Sequence, residues 1–98
     1  MIMRMILVNV PIDKAAQAQR LWKNECAPLM IKQSGCISEQ LLRGRDNDSE
    51  FISISTWEDQ ASIDRYRASP AYKVILERTR SLMDAARVDV KTYDIVQW

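Results

Sequence analysis

The turn formers RDNDSE, residues 45–50, lie between two strand patterns, CISEQLLRG and EFISISTW. Asn, Asp and Ser bond their own backbone in turns, so the flanking runs are expected to pair as a hairpin. A central hairpin leaves few choices for the rest of the chain. Upstream, residues 3–10 (MRMILVNV) are strand formers that stop at Pro11, a residue disfavoured within a strand. The next apolar positions, Ala18, Leu21, Trp22, Cys26, Leu29 and Met30, recur at helical spacing behind Asp13, which is expected to cap them. Pro28 should kink or split that helix, and Gly35 should end it in a left-handed conformation.

Downstream, the alternation of EFISISTW breaks at Trp57, and Asp59 is placed to cap a short helix over residues 60–68. Ser69-Pro70 then supplies both a cap and a proline at the first helical position. Tyr72, Ile75, Leu76, Thr79, Leu82 and Met83 share one face of the helix that follows, and VDVKTYDIV reads as a fourth strand. The order is β-α-β-β-α-β with a split second helix. That is the ferredoxin-like α+β arrangement, a four-stranded antiparallel sheet with its helices on one face. Ile6, Val8 and Val10 alternate with Met3, Met5 and Leu7, so both faces of the first strand are apolar. An open apolar sheet face favours a second subunit, and a homodimer is expected.

At 98 residues the chain reads as a single domain, residues 1–98, with no linker. Its 14 Lys and Arg against 13 Asp and Glu form no basic stripe, which argues against nucleic acid as a partner. The apolar N-terminal run is shorter than the roughly 20 residues a bilayer requires, so no membrane partner is expected. The two cysteines, Cys26 and Cys36, suit neither a disulfide framework nor a zinc site, and the plain reading is a reduced, cytoplasmic protein. Histidine is absent, which removes imidazole bases and His-ligated metals from this chain's repertoire. With two glycines, Gly35 and Gly44, no phosphate-cradling loop can be built.

The stretch SGCISEQLLRGRDNDSEFISISTWEDQASIDRYRASPAYK resembles the antibiotic biosynthesis monooxygenase family of dimeric α/β barrels. The resemblance is carried by Gly35, Trp57-Glu58, Ser69-Pro70, Tyr72 and Lys73. It implies a dimer with a pocket in each subunit between sheet and helices. It also implies an oxygenase that needs no metal, flavin or other cofactor and acts on a quinol-like or polycyclic aromatic substrate. The family also includes haem-degrading members. Non-catalytic binding of a small ligand by a dimeric module is the alternative from another class.

Under this resemblance Trp57 and Asn9 are the candidate catalytic pair, both donating to a developing substrate oxyanion in one cavity. Trp57 equally suits the edge of the core, and Asn9 equally suits a strand exit. Tyr66 matches an aromatic of the haem pocket in the haem-degrading branch. Ten residues on, where that branch has its iron-ligating His, this chain has Leu76, which argues against haem. Tyr66, Tyr72, Ser53, Ser55 and Leu76 make up the candidate substrate-binding set. Ser53 and Ser55 share a strand face with Trp57, either lining a pocket or facing outward. Tyr72 is either a helix anchor or a pocket residue.

Overall fold

The computed structural model describes residues 1–97. Strand β1, Ile2–Asn9, leads through a 3-10 turn, Ile12–Lys14, into helix α1, Ala15–Leu21. A π-helical turn, Trp22–Cys26, and helix α2, Ala27–Met30, continue it. Strands β2, Cys36–Arg43, and β3, Glu50–Trp57, form the hairpin. Helices α3, Gln60–Arg67, and α4, Pro70–Asp84, precede strand β4, Arg87–Asp94. The antiparallel sheet has the order β2-β3-β1-β4, the ferredoxin-like topology expected from the hairpin and its flanks.

Local chemistry accounts for most boundaries. Asp59 accepts from the Ser62 amide at 2.8 Å, and Ser69 accepts from the Tyr72 amide at 3.2 Å, so α3 and α4 begin where the capping residues lie. Asp13 differs from its expected role. It lies within the 3-10 turn, and no side chain caps α1. Pro28 has no amide to donate, and its ring crowds the carbonyl four residues back. The turn preceding it is widened accordingly, with the Ala27 amide bonded to the carbonyl of Trp22.

Residues paired across neighbouring strands share a sheet face. Ile2, Arg4, Ile6 and Val8 therefore face the helices together with Trp57, Ser55, Ser53 and Phe51. On β2, Glu39, Leu41 and Arg43 join them by pairing with Ser55, Ser53 and Phe51. The main core gathers Cys26, Met30, Trp57, Ile63, Tyr66 and Ile75 at one end of the sheet, and a smaller cluster of Val10, Ala15 and Phe51 closes the other. The reverse face presents Met3, Met5 and Leu7 beside Ile52 and Ile54, with no described element of this chain over it. β4 is exposed along its whole length. Among the described residues no helix is long and apolar enough to cross a membrane.

Gly35 has φ +84°, and its carbonyl accepts the Glu58 amide at 2.9 Å, which ties the entry to β2 against the exit from β3. A Cβ added there would fall onto Oγ of the buried Ser62. The left-handed backbone alone costs an L side chain about 1–2 kcal/mol. With the steric conflict added, Gly35→Ala should lower stability by roughly 2 kcal/mol or more in chemical denaturation. A change within experimental error would contradict this close approach.

Candidate functional site

Trp57 is fully buried, stacked on Tyr66 with ring centroids 5.1 Å apart, and its indole N–H donates to Ser55 Oγ at 2.9 Å. Tyr72 meets Tyr66 edge-on, with centroids 5.0 Å apart. This aromatic column joins the end of β3 to α3 and α4. Burial pushes the Tyr66 hydroxyl well above its ordinary range, so it stays protonated. Among the described residues, Trp57 lines none of the principal cavities.

Asn9 lies elsewhere. Trp57 pairs with Ile2, whereas Asn9 pairs with Glu50 and Arg87 at the far end of β1, seven residues or about 23 Å away. The alternation also places Asn9 on the reverse face, where it is exposed. The expectation that Asn9 and Trp57 share one cavity is therefore corrected within the chain. The donor expected from Trp57 is already committed to Ser55. Leu76 is 48% exposed on α4 and lines neither cavity beside the sheet.

What the fold does bring together is a carboxylate. Glu39 lies on the helix-facing side of β2, where its Oε1 accepts from Trp22 Nε1 at 2.9 Å and from Ser53 Oγ at 3.0 Å. Its Oε2 is buried and, among the described residues, has no hydrogen-bond partner. Burial pushes the acid up to about 7, and the two hydrogen bonds and the nearby charge of the buried Arg4 only partly oppose it. Of the expected site residues, Ser53 is the one that touches this group. Ser55 is committed to Trp57 and to the Arg4 carbonyl, at 3.4 Å.

The π turn helps to build the site, since it begins at Trp22 and the Trp22 indole reaches Glu39. Beside the carboxylate is an open cleft of about 460 Å³, lined by Gln19, Trp22, Lys23, Ala27, Glu39, Leu41 and Arg43. Arg43 Nη1 is held by Gln19 Oε1 at 3.1 Å on its rim. Trp22 and Leu41 also border a second and much smaller space of about 50 Å³ between sheet and helices, with a mainly apolar lining that includes Phe51.

Neither thiol is poised to react. Burial, together with the Glu25 charge, pushes Cys26 up to about 11, and burial raises Cys36 as well. A largely buried carboxylate in the wall of a cleft, on a four-stranded α+β sheet, makes a candidate small-molecule site. A family model described as antibiotic biosynthesis monooxygenase matches residues 1–78, and the chain belongs to that family. No curated protein matches the chain.

Solved structures share its fold. SnoaB from Streptomyces nogalater, a cofactor-independent oxygenase solved in a mutant form, superposes with TM-score 0.83 at 21% identity, covering 99% of this chain and 94% of that one. A Deinococcus radiodurans protein whose name carries the same family gives TM-score 0.86 at 13% identity, over 100% and 95%. Rv0793 from Mycobacterium tuberculosis gives 0.78 at 19% identity, over 100% and 98%.

The raised acidity constant of Glu39 has a consequence for folding. The folded chain keeps a proton that the unfolded chain releases between its ordinary value of 4.5 and about 7. The group's contribution to stability is thus lost as pH rises through that window. Glu39→Gln, which cannot ionise, should melt close to the wild type near about pH 5 and above it near about pH 8. A melting difference that does not change with pH would place the carboxylate in solvent.

Proposed function

We propose that the chain is a cofactor-independent monooxygenase that takes a quinol-like or polycyclic aromatic substrate in the cleft, with Glu39 as its proton acceptor. The observation that carries this reading is the state of that carboxylate: one oxygen anchored by two donors, the other buried without a partner among the described residues, and an acidity raised to about 7. The cleft volume of about 460 Å³ suits a small aromatic molecule. Membership of the family supports the reaction class, and SnoaB, a cofactor-independent oxygenase, shares the fold.

In this mechanism the Glu39 carboxylate removes a proton from an acidic ring C–H, leaving the electron pair on the substrate carbon. Trp22 offers an aromatic wall, and Lys23 and Arg43 bring positive charge to the rim, where the anion would be stabilised. The carbanion adds dioxygen to give a peroxide anion, which takes the proton back from Glu39. Loss of water leaves a carbonyl, so one ring methylene and one dioxygen become one ring carbonyl and one water.

One observation favours the non-catalytic module instead. The apolar space between sheet and helices is about 50 Å³, too small for a ring, so a ring must bind in the larger cleft. Oxygen uptake with a panel of quinols and anthrones separates the two readings. Turnover should rise with pH through about 7, following ionisation of Glu39. Glu39→Gln should reduce it by about 10²–10⁴-fold, the usual contribution of a positioned base. Uptake that is absent across the panel, or unchanged in Glu39→Gln, defeats the proposal.

A homodimer is part of the same proposal. Met3, Met5, Leu7, Ile52 and Ile54 form an apolar surface on the reverse face of a small sheet, and a second copy is the simplest cover. Light scattering at micromolar concentration should give twice the chain mass, and Leu7→Arg should shift it to the monomer. A stable wild-type monomer would refute the association.

A further inference from the structure

We infer that the cleft beside Glu39 takes an aromatic acid, a fused-ring ligand whose own carboxylate pairs with Arg43. Glu39, Leu41 and Arg43 alternate along β2 onto the face that lines the cleft. Glu39 and Arg43 are four residues apart, which puts their backbones about 13 Å from one another. Leu41 lies between them, and Trp22 stands across from the strand on the helical side. The cleft is therefore graded along its length, from a carboxylate past an apolar stretch to a guanidinium.

The guanidinium is tethered with most of its donors unspent. Its Nη1 donates to Gln19 Oε1 at 3.1 Å, and Gln19 belongs to α1, so the contact joins the two walls of the cleft. A guanidinium carries its N–H donors in a fixed fork with no acceptor, a geometry that matches the two oxygens of a carboxylate. The hairpin turn that follows supplies Asp46, Asp48 and Glu50, yet among the described residues Arg43 makes no ion pair. Glu39 is bonded to Trp22 and Ser53 instead. A cation unpaired with the acids around it, in the wall of a cleft of about 460 Å³, is a place for the anionic group of a ligand.

This anchor sets an orientation. With its carboxylate on Arg43, an aromatic acid lays its rings over Leu41 and against Trp22, and presents its far edge to Glu39. Lys23 lines the same cleft and adds positive charge, but as a point charge without the fork. Arg43 is exposed, so its pairing with a ligand gives a modest preference that salt weakens. The inference rests on the reading of the cleft as the ligand site, and the class of ligand does not depend on turnover.

Naphthoate is the probe, and naphthamide of the same substitution is its uncharged control. Binding to the wild-type protein is followed at the indole N–H resonance of Trp22, assigned by its loss in Trp22→Phe. Naphthoate should bind roughly two- to fivefold more tightly than naphthamide at low salt. The difference should vanish in about 1 M salt, where charges are screened beyond about 3 Å. Arg43→Gln should bring naphthoate to the Kd of the amide and leave the amide unchanged, whereas Arg43→Lys should keep part of the preference. Arg45→Gln, which removes the same charge outside the cleft lining, should keep all of it. No response at Trp22, equal Kd values, or a preference that survives Arg43→Gln overturns the inference. If the preference holds and no aromatic acid is oxidised, the ligand class stands and the oxygenase reading falls. If neutral quinols are oxidised as well as their acid analogues, the oxygenase reading stands and this inference falls.

Discussion

The fold is held at one point by the indole of Trp57. Its ring is sealed between sheet and helices, its N–H is committed to Ser55, and its face lies on Tyr66. β3 cannot move relative to α3 without parting that stack, and α3 cannot move relative to α4 without parting Tyr66 from Tyr72. Removing a buried aromatic of this kind costs about 3–5 kcal/mol, a large share of what a small domain possesses. The hydrogen bond within the strand allows the indole to be buried without leaving a donor unpaired. Trp57 is thus the wall on which the helices rest, and the cleft surface at Glu39 begins at the strand pair next to it, where Glu39 faces Ser55.

That surface is built the opposite way. Glu39 keeps one buried oxygen without a partner among the described residues, an arrangement that costs stability wherever it occurs. Arg4, itself buried on the adjoining inner face, moderates the cost through its charge and does not cancel it, since the acid remains raised. A chain with about as much stability as it needs would not retain such a group by packing alone. The strain is concentrated beside the cleft.

Much of this was legible from the residues. Turn formers between two alternating runs, Pro11, Asp59 and Ser69-Pro70 mark the elements closely, because caps and prolines act locally. The site was less legible for two physical reasons. Counting by twos from Cys36 puts Ser38 and Gln40 on its face, but the strand register shifts between Cys36 and Ser38, so Glu39 takes the inner phase. The Trp22 side chain is directed by a π turn that no apolar spacing announces. Asn9 misled in the other direction. An amide in an apolar strand looked like an interior group, yet it occupies the last position of β1, where polarity is the rule. Glu39 beside Leu41, and Arg4 between Ile2 and Ile6, were the available signals: charges in phase with a buried face.

The π turn has a further consequence. A widened turn holds one residue more than a regular helix needs for the same rise, and each residue advances a helix by about 100°. Deleting one residue between Trp22 and Cys26 would therefore let the segment relax to ordinary helix while α2 kept its seat on the core. The five residues of the widened turn cover nearly the rotation that one residue fewer covers in a regular helix, so the indole of residue 22 would keep its direction toward Glu39 and both anchors of the carboxylate would remain. The extra residue is spare to the scaffold and to the carboxylate alike.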